Sequence, residues 1–238
     1  RDQYSKYWIK ARKAVYGKTE YDQKLIDLVD KTLISGSNRL ILEVGIGTGW
    51  PIASSLASLN YDVYGIDISE DLINQCLYDY PGIHAEVCDA ENLSYENDRF
   101  DLVYCFHSTW YFNLRKALSE MFRVTKKDGF ILFDIMNRNN QYIEKIYKNH
   151  VFENSNFFGK IFKLFKNTVK FALQKGIQDW PYVISWNPSD PVEIIDQCLL
   201  SGGKVWVYAW HDDSLKELSV SRDNMYREHQ RIVICCKL

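Results

Sequence analysis

The chain has 238 residues, 46% of them hydrophobic, enough to bury the core of one large domain or of a domain with a sizeable insertion. Its 29 basic and 31 acidic residues nearly cancel, so no global field marks it for nucleic acid or an anionic membrane surface. No apolar run approaches the roughly 20 residues that span a bilayer, and the N-terminal RDQYSKYWIK lacks the apolar core of a signal peptide; the expectation is a soluble, cytoplasmic protein without stable membrane insertion.

In chain order, residues 4 to 16 and 20 to 34 are predicted helical, the second because Leu25, Ile26, Leu28, Val29 and Leu33 recur near the 3.6-residue period. SGSN at 35 to 38 breaks that pattern. Apolar, β-branched segments then alternate with helical ones: RLILEVG and PIASSLASL, YDVYGID and SEDLINQCLYDY, HAEVCDA, FDLVYCF and LRKALSEMFRV, then GFILFDIM. Strand followed by helix, repeated, predicts a parallel sheet covered on both faces. Ser69 is placed to cap a helix whose first turn carries Glu70 and Asp71, and Pro51 suits a first turn, where its missing N–H is no loss. The alternation stops over residues 139 to 187 and resumes with a helix from about 191 to 201, for which Asp190, Pro191 and Glu193 supply cap, first-turn proline and capping box. KVWVYAW and RIVICCKL predict a closing antiparallel strand pair, with only one short helical pattern between them.

The segment ILEVGIGTGWPIASSL, residues 41 to 56, puts glycine at every second position between a strand and a helix, the place where backbone N–H groups and a helix N-terminus face a ligand. A dinucleotide fingerprint GxGxxG needs a third glycine at position 50, where Trp50 stands. With Glu43, Gly45, Gly47 and Gly49 the segment reads ExGxGxG and resembles motif one of the class I S-adenosylmethionine-dependent methyltransferases. The resemblance continues in order through YGIDIS, EVCDAENL, FDLVYCFHSTWYF and KALSEMFRVTKKDGFILFD, where Asp128 and Gly129 are expected to form a tight turn.

The resemblance implies an α/β, Rossmann-like, seven-stranded mostly parallel sheet with helices on both faces, an antiparallel last strand and a helical insertion after the fifth strand. It implies one methyltransferase domain over residues 1 to 238, with residues 1 to 37 as a helical lid and 139 to 187 forming part of the acceptor site. The cofactor would be S-adenosylmethionine, leaving S-adenosylhomocysteine as product, with no metal. Asp67 would hold the cofactor ribose with Ile68 beside it, Asp89 the adenine amino group, and the Ala90 N–H a ring nitrogen. Cys105 and Phe106 would lie beside the methionine part, and Tyr7 and Trp8 of the N-terminal helix would either close over the cofactor or pack into the core.

His107 follows the fourth strand near the expected methyl group, and it reads either as a general base or as a structural histidine. Trp110 and Tyr111, in the insertion joined by Trp180 and Tyr182, either wall an acceptor pocket or pack in the core. FFGKIFKLFKNTVKFALQK predicts an amphipathic basic helix at about 157 to 175, a solvated face over a packed one, a lid for an anionic acceptor, or a membrane-surface contact. Six scattered cysteines without metal-ligand spacing read as free thiols. The expected substrate is a small-molecule methyl acceptor, methylated on oxygen or nitrogen. Nucleic acid is not expected, since no NPPY-like or DPPY-like signature follows FDLVYCF. A nicotinamide-dependent oxidoreductase and a non-catalytic methyltransferase-like binding protein stay open, as does the oligomeric state.

Overall fold

The computed structural model describes residues 18–33, 40–145, 148, 187–211, 214–220, 226 and 229–238. The first expected helix, at 4 to 16, and most of the insertion, with its basic helix, lie outside them.

The elements are α1 (Glu20–Leu33), β1 (Leu40–Val44), α2 (Ile52–Ser58), β2 (Asp62–Asp67), α3 (Glu70–Asp79), β3 (His84–Val87), β4 (Phe100–Cys105), α4 (Leu114–Val124), β5 (Thr125–Met136), α5 (Pro191–Leu200), β6 (Lys204–His211), β7 (Ser214–Leu218) and β8 (Arg231–Lys237). The strands form one sheet in the order β3-β2-β1-β4-β5-β8-β6-β7. β3, β2, β1, β4 and β5 run parallel, and β8 enters antiparallel between β5 and β6.

Side-chain alternation along the buried strands builds a core on each face. Leu42, Val44, Val103, Cys105, Ile131, Phe133, Ile232 and Ile234 point to the face covered by α4 and α5, with Leu118, Met121, Ile194 and Ile195. Ile41, Val63, Leu102, Tyr104, Leu132, Val233 and Cys235 point to the face covered by α1, α2 and α3, with Leu25, Val29, Leu56 and Ile73.

The helix starts follow the capping chemistry with some exceptions. The Ser69 hydroxyl accepts the Leu72 N–H, and Asp190 caps α5 by accepting the Val192 N–H behind a first-turn proline. Glu193 does not close a capping box: its carboxylate turns to Arg115, at 2.6 Å. α2 starts one residue later than expected, with Pro51 at the N-cap. α1 carries a reciprocal box that the sequence reading lacked: Asp22 accepts the Thr19 N–H and hydroxyl, and Thr19 accepts the Asp22 N–H.

Two expectations need correction. Among the described residues the sheet has eight strands rather than seven, because the short helical pattern after Trp210 is the edge strand β7, paired antiparallel with β6. Leu215 and Leu218 have helical spacing, but a hairpin beside the formed β6 satisfies their backbone, and charged Lys216 and Glu217 guard the free edge. Asp128 and Gly129 interrupt no strand boundary either. β5 starts at Thr125, and residues between it and Phe130 form an irregularity against β4, with Asp128 at φ 65°.

Gly65 in β2 has no room for a side chain. A Cβ there would stand 2.9 Å from the Ile46 Cβ, in the loop that follows β1. Gly65→Ala is expected to lower the unfolding free energy by about 1–3 kcal/mol in urea titration, the usual cost of overpacking; an unchanged midpoint would mean that the loop is loosely seated.

Candidate active site

Strand direction gathers the candidate residues on one edge. β1 ends at Val44, β2 at Asp67, β4 at Cys105 and β5 at Met136, while antiparallel β8 begins there with Arg231 opposite Met136. The strand order reverses between β1 and β4, and ligands of open α/β sheets bind beyond the strand ends at such a point.

The loop after β1 is held by hydrogen bonds to β2. The Gly45 and Ile46 N–H groups both donate to the Ile66 carbonyl, at 2.8 and 2.9 Å, and the Gly47 N–H donates to Asp67 Oδ2 at 3.0 Å. Gly45, Gly47 and Gly49 have φ of 81°, 57° and 76°, a region that favours glycine. The three differ in what surrounds them. A Cβ on Gly45 would meet Ser108 at 2.6 Å and one on Gly49 would meet Cys76 Sγ at 2.8 Å, but one on Gly47 would meet nothing within 4 Å among the described residues. Gly45 and Gly49 are therefore packing glycines, and Gly47 is the one that opens outward.

Around that opening, Asp67 accepts the Ser69 N–H on Oδ1. Burial pushes its carboxyl above the usual range, against the N–H groups of Ser69, Gly47 and Ile68, which favour the charged form. Ile68 beside it is 55% exposed. Asp89 uses Oδ1 to accept the Glu91 N–H, while Ala90 is buried next to it. The Trp50 indole N–H is buried and has no partner among the described residues. An outward glycine, an exposed apolar residue beyond a strand-end acid, and an orphan donor fit a nucleoside joined to a polar tail.

Other expected residues lie deeper. Glu43 is buried and accepts the Tyr104 hydroxyl at 3.0 Å, so its carboxylate faces the core beneath the loop. Cys105 and Phe106 are enclosed, which leaves only their backbone to meet a ligand. Of the six cysteines, all free, Cys88 is half-buried and the rest are buried. Tyr7, Trp8, Trp180 and Tyr182 lie outside the described residues.

His107 stands at φ 61°, in the left-handed region, where its N–H donates to Asp134 Oδ1 at 2.8 Å. Arg231 Nη1 donates to its Nδ1 at 3.0 Å; since arginine has no acceptor, Nδ1 carries the lone pair and Nε2–H donates to Asp22 Oδ1 at 2.8 Å. Both ring nitrogens are thus engaged. Asp134 is fully buried and also accepts the Tyr21 hydroxyl at 3.3 Å, with Arg231 Nη1 3.6 Å from its Oδ2. Burial, then the Asp134 charge, raises the Tyr21 phenol well above its ordinary range. Trp110 is buried under the Arg231 guanidinium, its carbonyl accepting the Asn187 N–H, and half-buried Tyr111 lies beside it.

Sequence reasoning missed Tyr21, Asp22, Asp134 and Arg231. One signal was available: Asp134 is an acid inside the otherwise apolar run GFILFDIM.

Burial alone would raise the Asp22 carboxyl, but hydrogen bonds from His107 and Thr19 outweigh it and hold its pKa at about 2, below the ordinary 3.8. A depressed carboxylate stabilises the fold above its unfolded pKa and loses that contribution as pH falls through the folded one. Asp22→Asn is expected to lower stability by about 2 kcal/mol at pH 7, with the deficit closing between about pH 4 and pH 2; an equal deficit at pH 7 and pH 2 would assign the loss to packing instead.

A profile of the methyltransferase domain family matches residues 42–133. An uncharacterised methyltransferase-like protein of Schizosaccharomyces pombe is 24% identical over 110 residues, 46% of this chain and 43% of that protein. A tRNA N(3)-methylcytidine methyltransferase of the same organism is 30% identical over 125 residues, 47% of this chain and 41% of that protein. These matches span less than half of either relative's length. Among solved structures, a Thermotoga maritima S-adenosylmethionine-dependent methyltransferase, described as a possible histamine N-methyltransferase, superposes with a TM-score of 0.61 at 19% identity, covering 99% of this chain and 95% of that one. The profile covers the glycine loop and the strand ends that form the opening, so residues 42–133 are similar to a methyltransferase domain, and the fold around them is shared with that solved structure.

Proposed function

We propose that the chain is an S-adenosylmethionine-dependent methyltransferase acting on oxygen or nitrogen of a small molecule. The observation that carries this reading is the Gly47 opening, floored by Asp67 and flanked by the exposed Ile68. Asp67 would accept hydrogen bonds from the ribose hydroxyls on the lone pairs its backbone donors leave free, Ile68 would cover the adenine, and Asp89 and Ala90 would meet its polar edge. The cofactor, when bound, supplies a methyl group already activated by a sulfonium. The protein's task is then positioning and exclusion of water.

His107 is better placed to position than to take a proton. Both ring nitrogens are bonded to side chains, and its backbone is tied to Asp134. It would hold α1 against the loop after β4, and an acceptor that attacks as a neutral amine or as an already ionised group would need no base from it. Trp110 and Tyr111 would border the acceptor.

Trp50 in place of the third glycine argues against a dinucleotide cofactor. The tRNA-methylating relative makes RNA the second acceptor class to test.

Isothermal calorimetry with S-adenosylhomocysteine and with NAD separates the cofactors: binding of the former alone is expected, and binding of NAD alone would overturn the reading. Asp67→Ala should weaken S-adenosylhomocysteine by about 1–3 kcal/mol through poorly paired ribose hydroxyls, and unchanged affinity would remove Asp67 from the site. Labelled methyl transfer to a panel of small amines, alcohols and acids, with bulk tRNA alongside, is expected to label a small molecule; label on tRNA alone would reassign the acceptor.

A further inference from the structure

The head of β8 carries a cation that the methyl-transfer reading leaves without a task. Arg231 lies on the same strand edge as Gly47, Asp67 and His107, and its guanidinium is fixed from several sides. Its carbon stands 5.2 Å from the Tyr21 ring centroid and 5.3 Å from that of Trp110. Nη1 donates to His107 Nδ1 and faces Asp134, and the Tyr21 hydroxyl approaches the same group. Even so, 32% of the side chain is exposed.

The donor arithmetic leaves the fork incomplete. A guanidinium has five N–H donors in a rigid plane, and the described residues present it with three acceptors, His107 Nδ1, Asp134 Oδ2 and Tyr21 Oη. Arg115, by contrast, is committed to a carboxylate, with Nη2 at 2.6 Å from Glu193 Oε2. Asp134 offers Arg231 only a contact at 3.6 Å, because it also accepts the His107 N–H and the Tyr21 hydroxyl.

The same geometry decides between two acceptor chemistries. Aromatic faces at a methyl-acceptor site suggest a cationic amine held by cation–π attraction. Here the protein's own cation already lies over Tyr21 and Trp110, and it would repel a second one. A planar fork with unused donors, pre-oriented by two rings, instead suits the two oxygens of a carboxylate. We propose that Arg231 recognises the methyl acceptor and that the acceptor carries a carboxylate. This rests on the methyltransferase reading of the same site.

The test uses the full chain loaded with S-adenosylhomocysteine for binding and with labelled S-adenosylmethionine for turnover. Benzoate, phenylacetate and hexanoate are titrated against their amides, and amino and hydroxy acids are compared as acceptors with their methyl amides. Acids are expected to bind at least tenfold tighter than amides and to be the labelled class. Arg231→Met should raise the acid KM at least tenfold, with S-adenosylhomocysteine affinity changed less than twofold, and Arg231→Lys should restore part of the loss. Equal binding of acids and amides, no carboxylate binding to the loaded protein, label on RNA alone, or an unchanged acid KM in Arg231→Met would each overturn the proposal. So would a parallel loss of melting temperature, cofactor affinity and turnover, which would make Arg231 a structural member of the cluster. Failure of the wild-type chain to bind S-adenosylhomocysteine would instead sink the methyltransferase reading itself.

Discussion

The turn after β1 depends on one carbonyl. Ile66 O, one residue before the end of β2, accepts the N–H groups of both Gly45 and Ile46, and Asp67 accepts that of Gly47. These bonds lock the glycine loop to the neighbouring strand, so that the distance between the loop and the strand-end acid is set by the sheet rather than by a mobile side chain. Everything assigned to ligand binding hangs from that junction. Gly65 and Ile46 pack behind it, Ser108 backs onto Gly45, and among the described residues nothing stands within 4 Å of where a Gly47 side chain would be.

A second junction joins the elements that a parallel sheet does not join by itself. Asp134, without solvent access, collects the His107 N–H and the Tyr21 hydroxyl and stands beside Arg231, while His107 reaches Asp22. A buried carboxylate is costly unless such donors surround it. Through these contacts the cluster ties α1, the loop after β4, β5 and β8 into one arrangement. The edge that would receive the acceptor is therefore held by polar contacts, and the sheet beneath it by apolar ones.

The contrast explains what could be read without coordinates. The parallel strands and their helices were legible because Leu42, Val44, Val103, Cys105, Ile131 and Phe133 repeat with the pleat, and because Ser69 and Asp190 are placed as caps. The loop was legible because glycine at 45, 47 and 49 is needed for its backbone angles. β7 was misread since Leu215 and Leu218 fit a helix as well as an edge strand, and only the partner β6 decides. The Tyr21, Asp22, His107, Asp134 and Arg231 cluster joins residues far apart in the chain, and nothing in local pattern or propensity encodes such a meeting. Gly47 likewise differs from Gly45 and Gly49 only in what its neighbours leave empty.

Amide hydrogen exchange with and without ligand tests the central claim most directly, because the claim places the methyl donor on backbone between β1 and β2. Saturating S-adenosylhomocysteine should slow exchange at Gly47–Trp50, Ile68 and Ala90 while leaving the opposite strand edge, near Asp101 and Lys126, unchanged; NAD should slow none of them. Protection at that opposite edge, or at the glycine loop by NAD and not by S-adenosylhomocysteine, would contradict the account.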